Sequence, residues 1–421
     1  MEIKVVSPEY YVDEPHPTLT DNFQSPSSSC KTCLKRYRYP LGFCGLFFFA
    51  WALSIMAFFI KLSNSNPGTE CQVDFDSLTM AKFNSNVQPV LEFTNCSSIP
   101  LSMLSFRGTH NSYKLKPKSE PTLWGLNTLV GPWKYEQQTL TSQLDAGFRH
   151  FEIDVHFGED REHQMVFHLN LVDQQTVCYC ISECLGQIRD WSLANPLHLP
   201  ITIMFEVKYK HWLEAWREQS RPIDAEALDL LEKQVISAWR DARDKVVTPD
   251  DIKKAAGLTS LTDILTTKGW PTVDSMRGKT MFVMMDDKDY PLGDIYYGNS
   301  QSEQKAMFMM YPVDEDHPLP ERLKASAAFL MSNNPLGKEQ FLLDLSKTGY
   351  MVRTRANKEF ETIDQYTETA KAAFNSGAAI VSLDGTDDEM IQIWKEFFGS
   401  ETEAICSSEK SPAFCPQNIP C

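Results

Sequence analysis

Four short stretches in the chain carry side chains that could do chemistry together. Leu104 to Tyr113, LSFRGTHNSY, ends an apolar run in a turn-prone Arg107-Gly108-Thr109 and then presents His110, an acid/base candidate, and Asn111, a neutral oxygen donor. Phe148 to His156, FRHFEIDVH, places Glu152 and Asp154 two apart. Successive side chains of a strand alternate faces, so these carboxylates point one way while Ile153 and Val155 point the other. Carboxylates side by side repel, and a cation is the usual remedy. Met165 to Leu169, MVFHL, supplies His168, and ITIMFEVK ends in Glu206 and Lys208, again on one face.

Asn111, Glu152, Asp154 and Glu206 offer hard oxygen ligands and no thiolate, a set that suits Ca²⁺ or Mg²⁺ and argues against zinc. With water and substrate oxygens added, roughly six or more ligands are attainable, which favours calcium. The two histidines, left off the metal, can then donate a proton, accept one or stabilise charge. Lys208, Arg353 and Arg355 add positive charge for an anionic group. A metal, two histidines and cations around one cavity describe phosphodiester cleavage. Each residue also has a structural reading: a histidine beside an apolar run is more often a satisfied core residue, and a lysine or arginine more often half of an ion pair.

The elements that must hold these residues read as an alternation. Short apolar runs at Leu101–Thr109, Phe148–Val155, Met165–His168, Ile201–Val207, Lys279–Met285, Ala306–Tyr311, Tyr350–Thr354 and Ala378–Leu383 predict eight strands. Longer amphipathic patterns, among them Thr139–Ala146, Glu183–Ala194, Ala225–Asp244, Glu321–Met331, Ile363–Asn375 and Asp388–Phe398, predict helices. Helices between strands imply parallel pairing, and eight such units suit a closed α/β barrel of the TIM-like (β/α)8 type. An open doubly wound sheet is the alternative, but no Gly-rich phosphate loop follows the first strand. In a barrel the chemistry sits at the C-terminal strand ends, and His110, Asn111, Glu152, Asp154, His168, Glu206, Lys208, Arg353, Arg355 and Asp384 are all expected there.

The flanking chain bounds the setting. A net charge of -16 argues against a nucleic-acid partner. Residues 1–38 begin with a Pro- and Ser-rich stretch and read as a disordered cytosolic tail. Tyr39 to Ile60 contains 22 residues without a charge, about 33 Å as a helix, and is expected to be an N-terminal transmembrane signal anchor. A cleaved signal peptide is the alternative. Lys31, Lys35, Arg36 and Arg38 precede that run, so the expected protein is single-pass type II, with its catalytic domain luminal or extracellular. Residues 61–100 form a spacer, 101–398 the barrel, and 399–421 a Cys-containing tail. Eight cysteines follow the apolar run, an even number that reads as disulfides of unassigned pairing.

His110-Asn111-Ser112-Tyr113, Glu152-x-Asp154, His168 and Glu206-x-Lys208 resemble the catalytic X region of phosphatidylinositol-specific phospholipases C, and most closely the calcium-dependent single-barrel group of bacteria and fungi. The resemblance runs from about Leu101 to Phe398, and no pleckstrin-homology, EF-hand or C2-like segment accompanies it. It implies that Asn111, Glu152, Asp154 and Glu206 bind calcium, that His110 stabilises the pentacoordinate phosphate, and that His168 protonates the departing diacylglycerol oxygen. Calcium would acidify the inositol 2-hydroxyl, which attacks the adjacent phosphorus to give a cyclic phosphate; the base is left open. Lys208 would hold phosphate or inositol hydroxyls, while Arg353, Arg355 and Asp384 are placed by strand position alone. The implied partner is a membrane lipid, phosphatidylinositol or a glycosylphosphatidylinositol, met by a membrane-inserted protein. A glycerophosphodiester phosphodiesterase resembles a first strand ending in His-Arg-Gly, whereas this chain has Arg107-Gly108-Thr109-His110. An inactive inositol-lipid-binding barrel is the other alternative.

Overall fold

The computed structural model describes residues 96–116, 135–158, 163–169, 173–209, 223–288, 290–298, 305–357, 363–386, 392, 395–396 and 402–421. Its strands are β1 (Leu104–Thr109), β2 (His150–Phe157), β3 (Gln164–Met165), β4 (Ile201–Val207), β5 (Val246–Val247), β6 (Thr280–Met285), β7 (Met307–Pro312), β8 (Phe329–Met331), β9 (Met351–Arg355), β10 (Ile380–Leu383), β11 (Ala404–Cys406) and β12 (Ile419–Pro420). Eight of them close a parallel barrel in the order β1, β2, β4, β6, β7, β8, β9, β10 and back to β1. Strands such as ITIMFEV and MFMMYP are buried along nearly their whole length, as parallel strands covered on both faces must be.

The barrel interior is visible in the contacts. Arg353 on β9 reaches Glu152 on β2, although β10 and β1 lie between those strands in the sheet. Such a pair can meet only inside the cylinder. The inward set of β2 is therefore His150, Glu152 and Asp154, and its outward set is Phe151, Ile153 and Val155, all buried.

Two strand assignments change, and they compensate in number. The expected strand Met165–His168 is not a barrel stave: only Gln164–Met165 is extended, and it pairs antiparallel with the end of β2. With only six residues between β2 and β3, there is no room for the crossover that a parallel neighbour requires. The missing stave is β8, in a stretch whose pattern reads as the helix Glu321–Met331. Only Glu321–Leu323 is helical, as one 3-10 turn, and the following apolar run is too short for periodicity to separate strand from helix. Phe329 is fully buried, with ring centroids 5.5 Å from Trp270 and 5.4 Å from Phe308. Phe329→Ala is expected to cost about 3 to 5 kcal/mol in equilibrium unfolding; a change under about 1 kcal/mol would mean β8 is not part of the core.

At the barrel's N-terminal end β11 pairs antiparallel with the first half of β1, and β12 extends that edge. Disulfides join Cys96 to Cys421, Cys178 to Cys184 and Cys406 to Cys415.

The membrane anchor requires correction. Among the described residues no helix is long and apolar enough to cross a membrane. Two long ones, Ile181–Ala194 and Ala225–Ala238, have 14 residues each, about 21 Å against a hydrocarbon core of about 30 Å, and each buries one face while exposing the other. The expected span 39–60 lies outside the described residues. The N-terminal transmembrane helix, membrane insertion and single-pass type II localisation are accordingly withdrawn.

Candidate active site

The loop after β1 turns sharply because Asn111 adopts φ 46°, a left-handed conformation that asparagine tolerates better than most side chains. Ser112 fastens this loop to β2: its N–H donates to the Glu152 carbonyl at 2.9 Å, and its Oγ accepts from the Glu152 N–H at 2.8 Å. Gly108 belongs to the strand itself and is needed for close approach. A Cβ there would lie 2.9 Å from both His150 Cδ2 and Ser382 Oγ.

Each histidine is held at Nδ1 by an aspartate. His110 Nδ1 bonds Asp384 Oδ1, and His168 Nδ1 lies 2.8 Å from Asp173 Oδ2. This arrangement fixes both ring orientations. His110 Nε2 is 3.5 Å from Glu152 Oε1. Burial opposes charge on Asp384, but the Arg355 guanidinium and the His110 ring overcome it and hold the carboxyl below the usual carboxylate range. At His168 burial dominates and pushes the pKa down, with the Asp173 hydrogen bond opposing it and Lys208 reinforcing it.

Between the histidines lie the carboxylates. Ligand oxygens of Glu152, Asp154 and Glu206 all fall within 4.8 Å of one another. Lys208 Nζ sits 3.0 Å from Asp154 Oδ2 and also contacts Glu206 Oε1. Arg353 Nη2 is 2.5 Å from Glu152 Oε2. Burial raises the Asp154 pKa well above its ordinary value despite Lys208, with Glu206 and Glu152 adding to the rise. Burial also works against the charged form of Glu206, but Lys208 and both histidines outweigh it and lower that pKa.

This donor set fits a divalent cation. Neither oxygen of the fully buried Asp154 has a hydrogen-bond partner of good geometry among the described residues; its polar neighbours are the Lys208 ammonium and the Tyr113 hydroxyl. That hydroxyl donates to Asn111 Oδ1 at 3.3 Å, so the fourth expected ligand lies one hydroxyl away from the cluster.

All ten expected residues thus gather at one end of the barrel, though the two arginines are spent differently from expectation. Arg353 is fully buried against Glu152, Asn333 and Ser382, and Arg355 pairs with Asp384. Sequence reasoning missed Asp173, Tyr135 and Asn333. Asp173 follows His168 by five residues, a carboxylate close enough in the chain to orient that ring; no comparable signal marks Tyr135, whose Oη accepts from Asn111 Nδ2 at 2.9 Å, or Asn333.

A family model described as phosphoinositide phospholipase C, Ca²⁺-dependent, matches residues 160–398, more than half of the chain. The chain belongs to this family. The matched stretch includes His168, Glu206, Lys208, Arg353, Arg355 and Asp384, whereas His110, Glu152 and Asp154 precede it. Membership supports a calcium-dependent phosphodiesterase activity on this barrel. Among solved structures, the chain is similar to a calcium-dependent phosphoinositol-specific phospholipase C from Pseudomonas sp. (17% identity, TM-score 0.49, covering 69% of this chain and 91% of that one). It is also similar to a Ca²⁺-dependent phosphatidylinositol-specific phospholipase C from Streptomyces antibioticus (14% identity, TM-score 0.44, covering 68% and 95%). L. pealei PLC21 is a third (14% identity, TM-score 0.45, covering 77% and 39%). No curated protein matches the sequence.

Proposed function

We propose that the protein cleaves phosphatidylinositol-type lipids to diacylglycerol and an inositol cyclic phosphate. The observation that carries this reading is the pair of Asp–His units flanking one cluster of three carboxylates at a single barrel rim. Glu152, Asp154 and Glu206, with Asn111 beside them, would hold calcium. Bound there, the ion supplies positive charge that acidifies an alcohol and offsets the charge of a phosphate.

The chain's own groups divide the proton transfers. His110, oriented by Asp384, takes the proton from the inositol 2-hydroxyl through Nε2 as that oxygen bonds to phosphorus. His168, oriented by Asp173, gives a proton to the glycerol oxygen as the P–O bond to diacylglycerol breaks. One proton leaves an oxygen and one arrives at another, so the two rings exchange protonation states over the reaction. Giving His110 the base role departs from the phosphate-stabilising role that the family resemblance implies, and the Asp384 contact motivates the change. Lys208, on the same rim, is assigned to the phosphate.

The test is hydrolysis of phosphatidylinositol in detergent mixed micelles, with phosphorus NMR of the product. Turnover should require calcium, stop with a chelator, return on re-addition, and give a cyclic phosphate signal. Turnover indifferent to chelation, or confined to glycerophosphodiesters, would overturn the proposal.

A further inference from the structure

Lys114 has no part in the reaction as drawn, yet its side chain is completely buried. Its ammonium lies 3.3 Å from Asp173 Oδ2, 3.2 Å from the Tyr135 carbonyl and 3.3 Å from the Leu115 carbonyl, and 4.5 Å over the Tyr135 ring. Its backbone is equally committed. The Lys114 N–H donates to the Asn111 carbonyl and its carbonyl accepts from the Gln137 N–H, while the residue bridges to Thr176. Three segments therefore meet at this residue: the loop after β1, the stretch around 135–137, and the stretch around 173–176.

A buried ammonium costs several kcal/mol unless it is well paired, so a lysine here needs a reason that an apolar side chain of similar size would not supply. The reason lies in what its partners touch. Asp173 Oδ2 is shared between Lys114 and His168 Nδ1. Tyr135 Oη is 2.9 Å from Asn111 Nδ2 and 3.4 Å from His110 Nδ1. Building on the reading of the two histidines as acid and base, we propose that Lys114 is a positioning residue that ties them together, holding His168 through Asp173 and the His110–Asn111 loop through Tyr135.

The link has an electrostatic side that pure packing would lack. Burial, Lys208 and Lys114 oppose charge on the His168 ring, and Asp173 favours it; the ring in turn favours the charged form of Glu206. Taking away the Lys114 charge removes one positive charge that opposes protonation, so the His168 ring is expected to hold its proton to higher pH.

The test uses the full chain with Lys114→Met and Lys114→Gln, assayed on phosphatidylinositol mixed micelles at saturating calcium, with the His168 ring titrated by NMR. Expected are a kcat loss of roughly 100-fold with little change in KM, and an upward move of the alkaline limb and of the NMR titration. Unchanged kcat and titration overturn the proposal. So does a kcat loss that tracks a lowered unfolding midpoint while the titration stays put, which is what a purely structural lysine would give. If Lys114→Met does not fold, Lys114→Gln, which keeps a donor without the charge, gives the same readouts. Should the wild type fail to turn over phosphatidylinositol, the functional reading falls, while the NMR titration still decides the role of Lys114.

Discussion

His110→Ala and His168→Ala should each lower kcat on phosphatidylinositol by roughly 10³-fold, within the range of about 10² to 10⁴ for loss of a general acid or base. The two losses should separate when the leaving group is changed. A glycerol alkoxide is a poor leaving group and needs a proton as it departs, whereas a phenolate-type group in an activated inositol phosphodiester does not. The His168→Ala defect should therefore shrink by at least about tenfold on the activated substrate, while the His110→Ala defect persists because the 2-hydroxyl must still lose its proton. Equal defects on both substrates would refute the division of labour. The pH dependence follows with a definite sign. In the free enzyme His168 must be protonated to act as the acid, and burial lowers its pKa. So the alkaline limb of kcat/KM, which reports loss of the His168 proton, should have its midpoint below the ordinary histidine value of about 6.5; an alkaline limb well above that value would assign the acid role elsewhere.

Much of this site was legible because the barrel strands write it at a fixed period. Glu152-x-Asp154 and Glu206-x-Lys208 share a face for the simple reason that strand side chains alternate, and parallel staves bring such faces to one rim. What stayed hidden depends on contacts between distant segments. Arg353 and Arg355 look like substrate cations when read along β9, but their partners Glu152 and Asp384 come from β2 and the end of β10. Asp173 and Tyr135 lie outside regular strands, where no periodicity betrays orientation. β8 was lost to shortness: three buried residues cannot announce a period. Gly108, read as part of a turn, proves to be the space into which His150 and Ser382 pack.

The Asp154→Asn substitution separates a metal ligand from a structural acid by the direction of its effect on stability. A fully buried carboxylate without a well-formed hydrogen bond, crowded by Glu152 and Glu206, is an electrostatic burden on the metal-free protein that a neutral amide of the same shape should relieve. The metal-free variant is thus expected to unfold at the same temperature as the wild type or higher. Calcium tells the opposite story. At about 100 times its Kd, the ion should stabilise the wild type by about 2.7 kcal/mol, and losing one formal charge from the ligand set should weaken binding by roughly 100-fold or more, leaving the variant with almost no calcium-dependent shift. Thermal unfolding with chelator and across a calcium titration reads both quantities without any activity assay. A variant that unfolds several degrees lower without metal, yet keeps the wild-type calcium shift, would make Asp154 a packing residue and show that the ion is held without its carboxylate.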